Sequence, residues 1–236
     1  WAFIQPVITV LLYWFVFEFG LHQKVNDLRT GIEVPFVLWL MGGLVPWFYF
    51  QEALNGGTGV LDEYSYLVKK VVFQIDALPV VKLISALFTH AFFVVFMLVV
   101  FAVMGFYPDL YVLQIVYYSF CMVILTAGLI YATSAVTVFF RDMKEVVSIL
   151  LQIGMWVTPI MWNFESMQGI PKWAVLLLKL NPMYYIVSGY RDALINKTAF
   201  WEHPGLTLWF WGITLFTLWA GTTVFKRLRV HFADVL

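Results

Sequence analysis

Residues 81–105 read VKLISALFTHAFFVVFMLVVFAVMG. Beyond Lys82 nothing in this stretch carries a fixed charge, and it is longer than the roughly 20 apolar residues a helix needs to cross a bilayer. A Lys, Arg or Asp at the centre of such a helix costs about 2.5–3.5 kcal/mol. Residues 1–20, 35–55, 110–140, 146–162 and 206–225 avoid that cost in the same way. The expectation is an all-α polytopic membrane protein, a single transmembrane domain over residues 1–236 with six transmembrane helices. Glu18 and Glu52 fall near segment ends, where a carboxylate reaches water.

Composition agrees. The 236 residues are 62% hydrophobic and 12% charged, against about 25% charged in an average soluble domain, which excludes a soluble fold. The formal net charge of zero gives no basic field to attract nucleic acid. Cys121 is the only cysteine, so an intrachain disulfide is impossible and the thiol reads as a small buried hydrophobe. The first apolar stretch lacks a basic start and an A-x-A-like cleavage site, so it is not read as a signal peptide. A further segment is expected upstream of it.

Lysine and arginine placement sets an orientation. The tail carries Lys226, Arg227 and Arg229, the turn after the fourth stretch carries Arg141 and Lys144, and the connection after the second carries Lys69, Lys70 and Lys82. These regions alternate so as to share one face, while Gly105-Phe106-Tyr107-Pro108-Asp109 has no basic residue. Both termini are therefore expected in the cytoplasm.

Two pieces between the stretches do not span. Asn55-Gly56-Gly57-Thr58-Gly59 is expected to break the second helix, after which Leu61, Tyr64, Leu67, Val68, Val71 and Val72 recur at helical spacing. Asp62 and Glu63 begin this amphipathic helix and Lys69 and Lys70 end it, matching the helix dipole. It suits a lipid interface, and equally a lever that receives force from a motor. Beyond the fifth stretch, Pro171 opens an apolar run too short to span, and Asn181-Pro182 interrupts and restarts it. The pair reads as a helical hairpin re-entering the outer leaflet.

Gly128 and Ala132, with Ala127, Thr133, Ser134 and Thr137, form a small-residue face for close helix approach, within one copy or across a dimer. Trp39, Trp47, Trp162, Trp201 and Trp209 read as interfacial anchors, and Gly42, Gly43 and Pro46 as a kink in the second helix. His90, about 12 Å into the third helix from Lys82, is either a functional intramembrane group or a neutral imidazole bonded to a neighbouring helix. Arg141, Lys144, Lys69 and Lys70 could meet a diphosphate at the cytoplasmic entrance. An integral-membrane transferase acting on a lipid-linked sugar would need clustered acid, base or metal groups, whereas His22, His90, His203 and His231 are dispersed. An ion-coupled transporter would favour internal repeats, and none is found.

Several motifs carry a resemblance. These are Tyr66-Leu67-Val68-Lys69-Lys70-Val71-Val72-Phe73 with Leu78-Pro79, Phe140-Arg141-Asp142-Met143-Lys144-Glu145-Val146, Thr158-Pro159-Ile160, and Leu180-Asn181-Pro182-Met183-Tyr184 followed by Tyr190-Arg191-Asp192-Ala193-Leu194. In order and spacing they resemble the permease subunit of type 2 ABC exporters of lipid-linked polysaccharides and polyol phosphates, the wall teichoic acid export branch in particular. O-antigen or capsular polysaccharide export is the alternative cargo. The chain departs from the family at Phe73-Gln74-Ile75-Asp76, where relatives often carry Phe-Pro-basic.

The resemblance implies a transport permease, not an enzyme, in a bacterial cell membrane, working as a homodimer of half-transporters. Two copies of a separate ABC ATPase subunit would bind ATP and Mg, with no cofactor in this chain. That division fits the absence of any G-x-x-x-x-G-K-[ST] loop from the sequence. The resemblance makes 61–72 the coupling helix, contacting the ATPase through Leu61, Tyr64, Leu67, Val68 and Val71. It makes 171–194 an external gate involving Pro171, Trp173, Leu177, Asn181, Pro182, Tyr185, Ile186 and Arg191. It places an interfacial helix before Trp1.

Overall fold

The structure is a computed structural model that describes residues 3–20, 25–26, 33–68, 74–163 and 169–235. Helix α1, Ile4–Trp14, runs into a wider helical turn, Phe15–Gly20. A two-residue antiparallel ladder pairs Val25 with Val34 and Asn26 with Glu33. The long helices follow: α2 (Phe36–Thr58), the short α3 (Val60–Glu63) and α4 (Ser65–Val68), then α5 (Ala77–Val103), α6 (Gln114–Phe139) and α7 (Met143–Val157). The hairpin is α8 (Lys172–Leu180) with α9 (Pro182–Arg191), and α10 (Pro204–Leu228) and α11 (Phe232–Val235) close the chain.

Among the described residues, Ala77–Val103, Leu110–Phe139 and Pro204–His231 are long and apolar enough to cross a membrane. The other three expected spans coincide with α1, α2 and α7. Helix α2 has the length, 23 residues or about 34 Å, and is apolar apart from Gln51, Glu52, Asn55 and a few small residues. Helix α7 does not, because its 15 residues rise only about 22 Å. It stops at Thr158, which is extended (φ −76, ψ 126) ahead of Pro159. A residue preceding proline is pushed out of the helical region by the ring.

Helix α2 is the hub of the bundle. Nearly every side chain from Phe36 to Leu54 is buried, against α1, α5, α6, α7 and α9. It also corrects the expected break at Asn55–Gly59, since the helix runs on through Thr58. Gly59 has φ −90, and the positive-φ glycines among the described residues are Gly105 and Gly169. Gly57 is there for space: a Cβ would lie 2.6 Å from the Ile130 side chain of α6.

The small-residue face of α6 resolves as packing within the chain. A Cβ on Gly128 would meet the Leu218 backbone nitrogen of α10 at 2.6 Å, and one on Gly221 would meet the Gly128 carbonyl oxygen at 2.0 Å. The two helices cross backbone to backbone there. Trp39 and Trp47, expected as interfacial anchors, are 6% and 2% exposed and belong to the core, whereas Trp201 and Trp209 are exposed. Cys121 is fully buried, as its setting implied.

A second, smaller core gathers one end of the bundle, where Val60, Leu61, Leu78, Ala135, Val138, Phe225 and Phe232 pack together. Ion pairs ring it: Lys144–Asp62 at 2.7 Å, Lys82–Glu63 at 2.8 Å and Arg229–Asp76 at 2.5 Å. Asp76, part of the departure from the family pattern, thus finds a partner in Arg229, just beyond the end of α10.

Candidate functional site

The insert after α2 is less regular than its spacing promised. It forms two helical turns, α3 and α4, broken at Tyr64 (φ −107, ψ 30). Asp62 and Glu63 do more than match a helix dipole, since they clasp Lys144 at the start of α7 and Lys82 in α5. The bond from Lys82 holds the Glu63 carboxyl below the usual carboxylate range, so the pair persists through neutral pH and opens only in acid. Lys82 also lies 5.5 Å from the Tyr64 ring centroid. The insert is therefore bolted to α5 and to the start of α7.

This placement revises its expected contacts. Leu61, assigned to a docking face, is 1% exposed and packs inward, whereas Tyr66 is 58% exposed. Tyr64 is half-buried. The side chains of Leu67 and Val68, and all of Lys69, Lys70 and Val71, lie outside the described residues. Of the expected diphosphate contacts, Lys144 is tied to Asp62 and Arg141 is exposed.

At the other end of α7, two proline-preceding breaks lock together. Asn181 caps α9 by accepting the Met183 N–H at 3.0 Å, and its amide donates to the Thr158 hydroxyl at 2.8 Å. The hairpin itself is lopsided. Helix α8 has no buried residue and exposes Trp173, Leu176 and Leu177, and Pro171 ahead of it is also exposed. Helix α9 is inside the bundle, with Tyr185 and Ile186 buried and Pro182 half-buried.

Arg191, expected as a gate residue, is the keystone of this end. It is 7% exposed and lies with its guanidinium carbon 3.4 Å from the Trp39 ring centroid. Its Nη1 donates to the Pro159 carbonyl at 2.7 Å, Nη2 to the Ile160 carbonyl at 2.8 Å and Nε to the Trp39 carbonyl at 3.3 Å. One planar fork thereby joins α2, the break after α7 and α9. Gly42 and Gly43, read in the sequence as a kink, make its seat, since a Cβ on Gly43 would lie 2.9 Å from Nη2.

His90 is bonded to neighbouring helices, one of the two readings its position allowed. Its Nε2 lies 2.9 Å from the Tyr190 hydroxyl and 3.2 Å from Ser119, which are themselves 2.6 Å apart. A second chain of bonds runs from Trp211 Nε1 to Tyr117, Tyr185 and Thr207. Gln114 was not singled out from sequence, yet it staples the α9–α10 connection by donating to the Thr198 carbonyl and accepting from the Phe200 N–H. A glutamine at the head of an apolar helix is the signal that marks it.

The bundle also holds a cleft of about 460 Å³, of mixed polar and apolar lining, between α1, α2 and α5, reached by Met155 of α7. Gln5, Thr9, Tyr13, Gln51, Glu52, Asn55, Thr89 and His90 all face it. Among the described residues no group of three His, Cys, Asp or Glu is placed to hold a metal ion.

Among the described residues, the bundle thus joins three helices long and apolar enough to cross a membrane to a buried arginine, a buried histidine and linked tyrosines. Comparison with known proteins makes this specific. The chain belongs to the ABC-2 type transporter family, whose model matches residues 1–195. It is 26% identical to an O-antigen export system permease protein of Myxococcus xanthus, over 99% of this chain and 86% of that one. A Klebsiella pneumoniae O-antigen export system permease protein is likewise 26% identical, over 100% of this chain and 86% of its own length. The polysialic acid transport protein of Escherichia coli is 26% identical over 96% of this chain and 84% of the relative.

Proposed function

We propose that this chain is the membrane subunit of an ATP-driven exporter that moves a lipid-linked polysaccharide out of the cytoplasm. What carries the reading is extent: similarity to polysaccharide export permeases runs over 99% of the chain, through the insert and the hairpin alike. The named relatives handle O-antigen and polysialic acid, so a polysaccharide ranks ahead of the wall teichoic acid that the sequence motifs put first.

In this reading all six apolar stretches cross the inner membrane, with the shorter α7 completed by its extended continuation, and both termini are cytoplasmic. The small core around Leu61 is then the cytoplasmic end. The insert bears on a separate ABC ATPase, two copies of which serve a homodimer of this chain and bind the ATP and Mg. The α8–α9 hairpin lies at the outer face, with α9 packed into the bundle and α8 free to move against lipid. A polar polymer needs such a lined route, because each unsatisfied polar group costs several kcal/mol in hydrocarbon.

Docking through the insert has a direct test. An exposed aromatic ring that becomes buried in an interface contributes about 1.5–3 kcal/mol, so Tyr66→Asp is expected to lower recovery of the ATPase with the tagged permease at least about fivefold. Membrane insertion should be unchanged. Full recovery of the ATPase with that variant would remove the insert from the interface.

A further inference from the structure

Polar side chains within a membrane-embedded bundle are costly unless water, protein or cargo meets them, and the cleft between α1, α2 and α5 collects them. Gln5, Gln51, Glu52 and Asn55 are exposed along it. Glu52 lies about 9 Å of helical rise from the Thr58 end of α2 and accepts a 3.4 Å bond from Thr89. Tyr13, Phe48 and Phe93 contribute rings to the same walls.

Carboxylate and amide groups interleaved with ring faces suit a sugar, whose hydroxyls pair with the former while its C–H faces lie on the latter. The charge of the lining narrows the class. Among the described lining residues there is no lysine or arginine, and Glu52 is the one carboxyl group. His90 turns its Nε2 to Tyr190 and Ser119. A phosphate or uronate entering here would find no countercharge among these lining residues and would face the Glu52 side chain.

We propose that this cleft is a binding subsite for uncharged sugar residues and that Glu52 turns acidic ones away. The proposal rests on the polysaccharide reading above and narrows it to neutral repeats.

The test uses the full chain in lipid nanodiscs with Asn55→Cys as reporter, since Cys121 is fully buried and does not compete for reagent. Maltohexaose and an oligogalacturonate of equal length are the probes, and protection of the new thiol from alkylation is the readout. Maltohexaose should protect at a concentration at least about tenfold lower than the oligogalacturonate, and adding Glu52→Gln should bring the two within about twofold. Equal melting temperatures for the two variants establish that the fold is kept.

Protection by neither sugar, or by both equally before Glu52 is changed, would overturn the subsite. A preference that survives Glu52→Gln would overturn the role of that carboxylate. Export by vesicles is read separately, so its absence would count against the polysaccharide reading and not against the subsite.

Discussion

Arg191→Met is expected to lower the melting temperature of the purified protein by about 10 °C, from a loss of roughly 3–5 kcal/mol. The variant keeps apolar bulk against Trp39 but leaves the carbonyls of Trp39, Pro159 and Ile160 without the donors they have now. Buried acceptors that lose a charged donor bear the desolvation cost in full. Arg191→Lys should recover only part of the loss, because an ammonium cannot reproduce a planar fork that serves three carbonyls on two segments. Since α9 and the break after α7 are joined through this side chain, export should fall with stability. A melting temperature within about 2 °C of wild type would remove Arg191 from its role as the joint.

The second large effect is expected at the α6–α10 crossing. Gly221→Ala places a methyl 2.0 Å from the Gly128 carbonyl oxygen and 3.0 Å from its carbon, and both are backbone atoms that cannot swing aside. The helices must part along the crossing, at a cost of 3 kcal/mol or about that. Monodisperse protein recovered from membranes should drop severalfold. Gly212→Ala on the same helix, where a Cβ meets nothing within 4 Å, should behave as wild type and serves as the control. Normal yield of Gly221→Ala would mean that the two backbones do not touch.

The parts of this fold that were legible in the sequence are those set by local chemistry. Asn181-Pro182 announces its break because proline restricts the residue before it, and Asn181 is extended where it stands; Thr158-Pro159 ends α7 by the same rule, inside the stretch 146–162 that was expected to run unbroken. The apolar stretch 81–105 coincides with α5 within a few residues because desolvation of charge is a property of the segment alone.

What was misread depended on partners distant along the chain. Gly57 looks like a helix breaker until Ile130 is placed beside it, and nothing near Gly42-Gly43 in the chain foretells that Arg191 occupies the space over them. Leu61 fits the apolar stripe of an interfacial helix, yet α6 and α10 supply an inward core for it. The acids of the insert match a helix dipole, but Lys82 and Lys144 arrive from other helices to claim them. Trp39 and Trp47 follow a residue type enriched at interfaces and were drawn into the core by the position of α2 at the centre of the bundle.

Export itself is tested most directly in inverted membrane vesicles holding this chain and its ATPase, with a neutral lipid-linked oligosaccharide supplied in the outer leaflet. The account predicts that adding ATP renders the sugar resistant to an external glycosidase, and that omitting either protein or ATP abolishes the change. Sugar that stays accessible with both proteins and ATP present, or that becomes protected equally well without ATP, would contradict it.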